Sequence, residues 1–170
     1  MTNIEAQAFN ANNGKSLRKL ARAIIMSQGH FALILVCCNF SPQPLSVLNQ
    51  LQEFSALPIQ GVILPPSGDT LFTALRAAVD EPPPPAVVVF GLDSVVAVDQ
   101  VLSATNLVRE EFRKQFPFPL VLWIDDTILQ KMIRLAPDFK SWAANPLRLE
   151  CCCHHRAFQP TYKMACVHGR

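Results

Sequence analysis

Three unbroken apolar runs constrain this chain more than any other feature: FALILVCC at residues 31–38, AVVVF at 86–90 and LVLWI at 120–124. A strand with one wet face alternates apolar and polar residues, whereas a run that is apolar at every position fits a strand covered on both faces. Ile59 to Leu64 is a fourth such segment, stopped by Pro65 and Pro66. Leu147 to Glu150, after the turn at Asn145 and Pro146, reads as a fifth strand.

Between these runs the apolar period changes to that of a helix. Leu17, Leu20, Ala21, Ile24 and Ile25 form one stripe, with Ser16 placed to cap the helix and Gly29 to end it. Leu45, Leu48 and Leu51 mark a second helix ending near Phe54, and Asp69 is placed to cap a third that carries Leu71, Leu75, Ala78 and Val79. The prolines at 82–85 favour extended geometry and read as a stiff connector. A long helix is predicted over Val98 to Gln115, with Phe112 inward and Glu110 and Lys114 forming a favourable i,i+4 pair. Asp126 or Thr127 caps the next helix, and Pro137 opens a short one through Phe139 and Trp142. Strands alternating with helices, and too apolar to have a wet face, predict a three-layer α/β fold. Its sheet is mostly parallel, of four to five strands, with helices on both faces.

The chain has 170 residues, half of them apolar, enough to bury roughly 70% of the unfolded surface in one domain. It divides into a polar leader over 1–14, an α/β domain over 15–150 and a tail over 151–170. The longest apolar run is eight residues, against about 20 for a membrane helix. No basic n-region precedes an apolar stretch at the N-terminus, so a cytoplasmic protein without a membrane partner is expected. Net charge is +2 with no stripe of Lys and Arg, which argues against nucleic acid. Four of the six cysteines fall in the tail and two are adjacent at Cys37 and Cys38, a distribution that fits reduced thiols better than a disulfide framework.

In parallel sheets ligands sit beyond the carboxyl ends of the strands. That rule selects Asn39 and Ser41 after the first strand, Asp93 after the third and Asp125 after the fourth as candidate nucleotide-binding residues, with the acids suited to magnesium. ATP with magnesium is the cofactor such a site would take. The chemistry around it is sparse. The first loop, Cys38 to Pro44, has no glycine or lysine, and its two prolines remove amide donors. Gly14, Lys15 and Ser16 match the end of a phosphate loop, but Phe9 stands where its first glycine belongs and no buried strand precedes it. Asn39 and Ser41 read as turn and capping residues ahead of ligands and Asp126 as a helix cap ahead of a metal acid, while Asp93 fits a cap and a metal acid alike. The tail, CCCHHRAFQPTYKMACVHGR, invites a zinc reading, yet adjacent Cys and His lack the usual two-to-four-residue ligand spacing. No cofactor and no metal ligand is expected, and no nucleophile or zinc-protease motif is present.

The stretches NLVREEFRKQFPFPLVLWIDD and APDFKSWAANPLRLE, within the span from Leu17 to Glu150, resemble a cyanobacterial and wider bacterial family. In that family the segment is the N-terminal α/β module of multidomain proteins that continue into tetratricopeptide or WD-type repeats. The resemblance implies a P-loop NTPase core of the STAND type whose phosphate loop has degenerated. Asp93 would then fall at the position of a Walker B acid, and Leu122 and Trp123 near a sensor strand. The repeats are missing here, and the chain changes character after Glu150, as a frameshift would produce; it reads as truncated.

The expected function is therefore a non-catalytic signalling or scaffold module acting through other proteins. Phe116, Phe118 and Phe139 are its candidate interface aromatics, unless they belong to the core; Trp142 reads as core. The alternatives are a divergent ATP-binding domain with Asp93 as its metal acid, and a zinc module built on the tail.

Overall fold

Each apolar run becomes a strand of one parallel sheet. The computed structural model describes residues 3–40 and 43–150, with side chains from residue 13 onward. Its elements in chain order are α1 (Asn3–Met26), β1 (Ala32–Cys38), α2 (Pro44–Phe54), β2 (Ile59–Ile63), α3 (Leu71–Ala78) and β3 (Ala86–Phe90). A 3-10 turn at Leu92–Ser94 follows, then α4 (Val98–Leu107), α5 (Arg109–Gln115), β4 (Pro119–Ile124), α6 (Asp126–Leu135), α7 (Pro137–Ser141) and β5 (Leu147–Leu149). The strand order is β2-β3-β4-β1-β5, and every pairing is parallel. The α/β class and the five strands agree with the sequence.

Alternation along the strands explains why the runs are unbroken. Leu33, Leu35 and Cys37 of β1, Val87 and Val89 of β3, and Leu120, Leu122 and Ile124 of β4 face α3 to α7. Val36 and Cys38, Val88 and Phe90, and Val121 and Trp123 face the other way, onto Leu17, Leu20 and Ile24 of α1 and Val47 and Leu51 of α2. Both sets of side chains are buried, so no position of β3 or β4 tolerates a polar residue facing water.

Several local readings need correction. Helix α1 begins at Asn3, so residues 3–14 of the expected leader are helical and Ser16 lies inside the helix instead of capping it. A tertiary contact anchors the helix ahead of Ser16: Asn13 is buried, and its amide exchanges two 2.8 Å hydrogen bonds with the backbone of Glu150. Gly14, Lys15 and Ser16 sit within that helix, where backbone amides belong to the helical ladder and form no phosphate loop. The long helix is two, α4 and α5, broken at Val108, with the Arg109 guanidinium donating to the Asn106 carbonyl at 2.7 Å. Thr70, not Asp69, caps α3 by accepting from the Thr73 amide.

Phe116, Phe118 and Phe139 are all buried, so these candidate interface residues belong to the core. The ring centroids of Phe139 and Phe116 lie 5.0 and 5.8 Å from that of Phe112, and Phe116 lies 5.5 Å from Phe118. Trp142 is half-buried beneath the Arg113 guanidinium, which lies 4.5 Å from its ring. No helix among the described residues is long and apolar enough to cross a membrane.

Candidate functional site

Three strand-end loops meet at one crevice. From β1 the chain turns to α2 on one face of the sheet, while from the neighbouring β4 it turns to α6 on the opposite face. Loops that diverge from adjacent strands leave a gap between them, which is where open parallel sheets place ligands. Here the gap holds about 250 Å³. Phe40, Phe90 and Trp123 contribute its aromatic wall, and Asn39, Asp93 and Asp125 its polar groups. Gly91 brings the third loop in. Its φ of +91° is a left-handed conformation that turns the chain sharply out of β3, and a Cβ there would stand 3.1 Å from the Leu64 carbonyl oxygen.

The polar side chains at this end mostly bind one another. Asn39 grips the start of α6 twice: its amide donates to Asp126 Oδ2 at 2.7 Å, and its Oδ1 accepts from the Asp126 backbone N–H at 2.9 Å. Asp126 Oδ1 accepts from Arg148 Nη1 at 2.7 Å and from the Cys37 thiol at 3.3 Å. These donors, Asn39 foremost, hold the Asp126 carboxyl down at about 2. Burial, reinforced by the bond to Asp126, pushes the Cys37 thiol up to about 11. A thiol that far above neutrality is protonated and is no nucleophile.

Asp125, not Asp126 or Thr127, is the cap of α6, and its Oδ1 accepts from the Ile128 amide at 2.7 Å. The helix begins one residue earlier than the periodicity implies, which moves Asp126 from the cap into the network with Arg148.

The sequence candidates thus separate. Asn39, Asp93 and Asp125 do come together at the crevice. Asn39 and Asp125 are engaged in holding loops, whereas Asp93 makes no hydrogen bond or ion pair to another described residue. Ser41 lies outside the described residues, as does the tail on which the zinc reading rests. Arg148 and Cys37 were not legible as partners of this site, because β5 is three residues long and nothing in its sequence says which strand it joins.

Two of the α6 amides that would meet an anion, those of Asp126 and Ile128, are taken by Asn39 and Asp125, and Pro44 at the first position of α2 has no N–H to offer. The described lining carries two carboxylates and no Lys, Arg or His. No group of three or more His, Cys, Asp or Glu among the described residues is placed to hold a metal ion. Comparison with protein-family models, with curated proteins and with solved structures finds no match to this chain.

Proposed function

We propose that this chain is a non-catalytic α/β module that works by docking to other proteins, in the manner of the N-terminal modules of the bacterial repeat proteins that its second half resembles. The observation that carries this reading is a set of apolar side chains beside the crevice. Leu45, Ile63 and Val96 are 69%, 66% and 86% exposed, and all three stand at the carboxyl end of the sheet. Ile63 lines the crevice itself, Leu45 follows the lining residue Pro44, and Val96 is tied by its amide to the Pro66 carbonyl of the neighbouring loop. Exposed large apolar residues on neighbouring strand-end loops favour a protein surface there, beside others such as Met26 and Leu107 elsewhere on the molecule. The crevice volume, about 250 Å³, falls below the roughly 300–1,000 Å³ usual for small-molecule sites.

The test is capture of partners by the full chain and by a Leu45→Glu, Val96→Glu variant whose fold is checked by circular dichroism. A defined set of proteins retained by the wild type and lost from the variant is expected; identical sets overturn the reading. Calorimetric titration with ATP and magnesium covers the nucleotide alternative. Micromolar binding abolished by Asp93→Ala would replace docking with nucleotide binding.

A further inference from the structure

The sheet ends at β2, where it pairs with β3 alone. Along a strand the backbone N–H and C=O groups of successive residues turn to alternate sides. The Leu64 amide donates to the Phe90 carbonyl at 2.9 Å, so Gln60, Val62 and Leu64 turn their groups to β3, and Ile59, Gly61 and Ile63 turn theirs outward. Among the described residues, nothing accepts from or donates to those outward groups. Gly61 is exposed and Ile63 is 66% exposed, so the edge is open. The opposite edge, β5, is only three residues long.

Open edges are ordinarily guarded by charge, lysine above all, or by a proline within the strand. This one has neither: residues 54–68 contain no Asp, Glu, Lys, Arg or His, and Pro58 and Pro65 stand just outside the strand. The edge also matches itself. Gly61 is the midpoint of Ile59–Ile63, so a second copy turned about it and laid antiparallel sets Gly61 opposite Gly61 and each Ile63 opposite the other copy's Ile59. All three pairs then use outward-facing groups, and each exchanges two N–H···O bonds. Ile59 and Ile63 lie on one face of the sheet, so the pairing lays the exposed Ile63 against a cross-strand apolar neighbour. A two-fold contact requires a patch complementary to itself, and the uncharged edge brings no like charges together.

We propose that this chain self-associates through β2, two copies joining edge to edge and antiparallel into one continuous sheet. The proposal stands apart from the docking reading, whose test residues Leu45 and Val96 are not part of β2.

Analytical ultracentrifugation of the full chain under reducing conditions reads the mass, and amide hydrogen exchange by NMR reads the surface. The mass is expected to rise from 18.9 kDa to twice that value as concentration approaches millimolar. The amides of Ile59, Gly61 and Ile63 should gain protection in step, while those of Val62 and Leu64, held by β3, are protected throughout. Ile63→Pro removes an outward donor without touching the β3 ladder, a change that edge strands tolerate. It deletes two of the inter-copy bonds and should weaken the dimer by at least about tenfold. Ile63→Lys, which keeps the backbone intact and adds charge to the edge, is expected to weaken it as well and serves if the proline variant does not fold. A mass of 18.9 kDa up to millimolar, a dimer whose outward amides stay unprotected, or a dimer unmoved by Ile63→Lys overturns the proposal. A monomeric wild type that still captures partners removes this proposal alone and leaves the docking reading standing.

Discussion

Asp126 shows how one carboxylate can hold three parts of a chain. Its two oxygens accept from Asn39 after β1, from Cys37 within β1 and from Arg148 on β5. Because its carboxyl sits at about 2, below the ordinary 3.8, the folded state favours the ionised form. The stabilisation is therefore present above pH 4 and is lost as pH falls through 4 towards 2. Urea unfolding between pH 5 and pH 2 is expected to show a fall in midpoint over that window, and Asp126→Asn to flatten it. An equal fall in wild type and variant would show that other carboxylates govern acid unfolding. Cys37 works in the opposite direction. Its thiol is raised from 9.0 to about 11, so its contribution is full below pH 9 and fades as pH rises towards 11.

At the scale of elements, the two edges of the sheet are secured differently. Strand β2 is held by β3 along its length and by the Gln60 amide, which donates to the Ala78 carbonyl at 2.7 Å. Strand β5 pairs with β1 over only three residues and depends on helix α1 for support. Asn13 provides that support with paired 2.8 Å bonds to Glu150 from within a buried setting. Asn13→Ala leaves both backbone groups without this partner and is expected to cost about 1–3 kcal/mol in urea unfolding. Faster hydrogen exchange at the Glu150 amide should accompany it. An unchanged amide would mean that β5 is held by its pairing with β1 alone. Nothing in the Asn-rich opening of the chain signals this role, since the partner lies 137 residues away.

In the whole molecule, the sheet separates two cores of different character. The side facing α1 and α2 is largely aliphatic, while the side facing α3 to α7 is built around a group of aromatic rings. Phe112 is central to that group, with the rings of Phe31, Phe72, Phe116 and Phe139 between 5.0 and 6.2 Å from its own. Phe112→Ala should cost about 3–5 kcal/mol by denaturant unfolding, as truncation of a fully buried aromatic does. A cost below about 1 kcal/mol would mean that the neighbouring rings close over the space. The same packing explains why Phe116, Phe118 and Phe139 are not interface residues. Their spacing beside Pro117 and Pro137 resembles an exposed aromatic turn, but the rings converge under α5 and α7 once the sheet is formed.

The sequence by itself determined the α/β class and the positions of the strands, because short runs apolar at every residue, alternating with helical periods, fit strands covered on both faces by helices. It also located the crevice in outline, since strand ends are where a parallel sheet presents its loops. Which loops meet was decided by the strand order β2-β3-β4-β1-β5, which brings Asn39 to Asp126 across 87 residues and Arg148 to Cys37 across 111. Hydrophobic period is a local property and is read within one turn or strand. Partnership between polar side chains depends on how separate elements assemble. The tertiary structure therefore assigned Asp125 to a cap, Asp126 to an ion pair, and left Asp93 free to face the crevice.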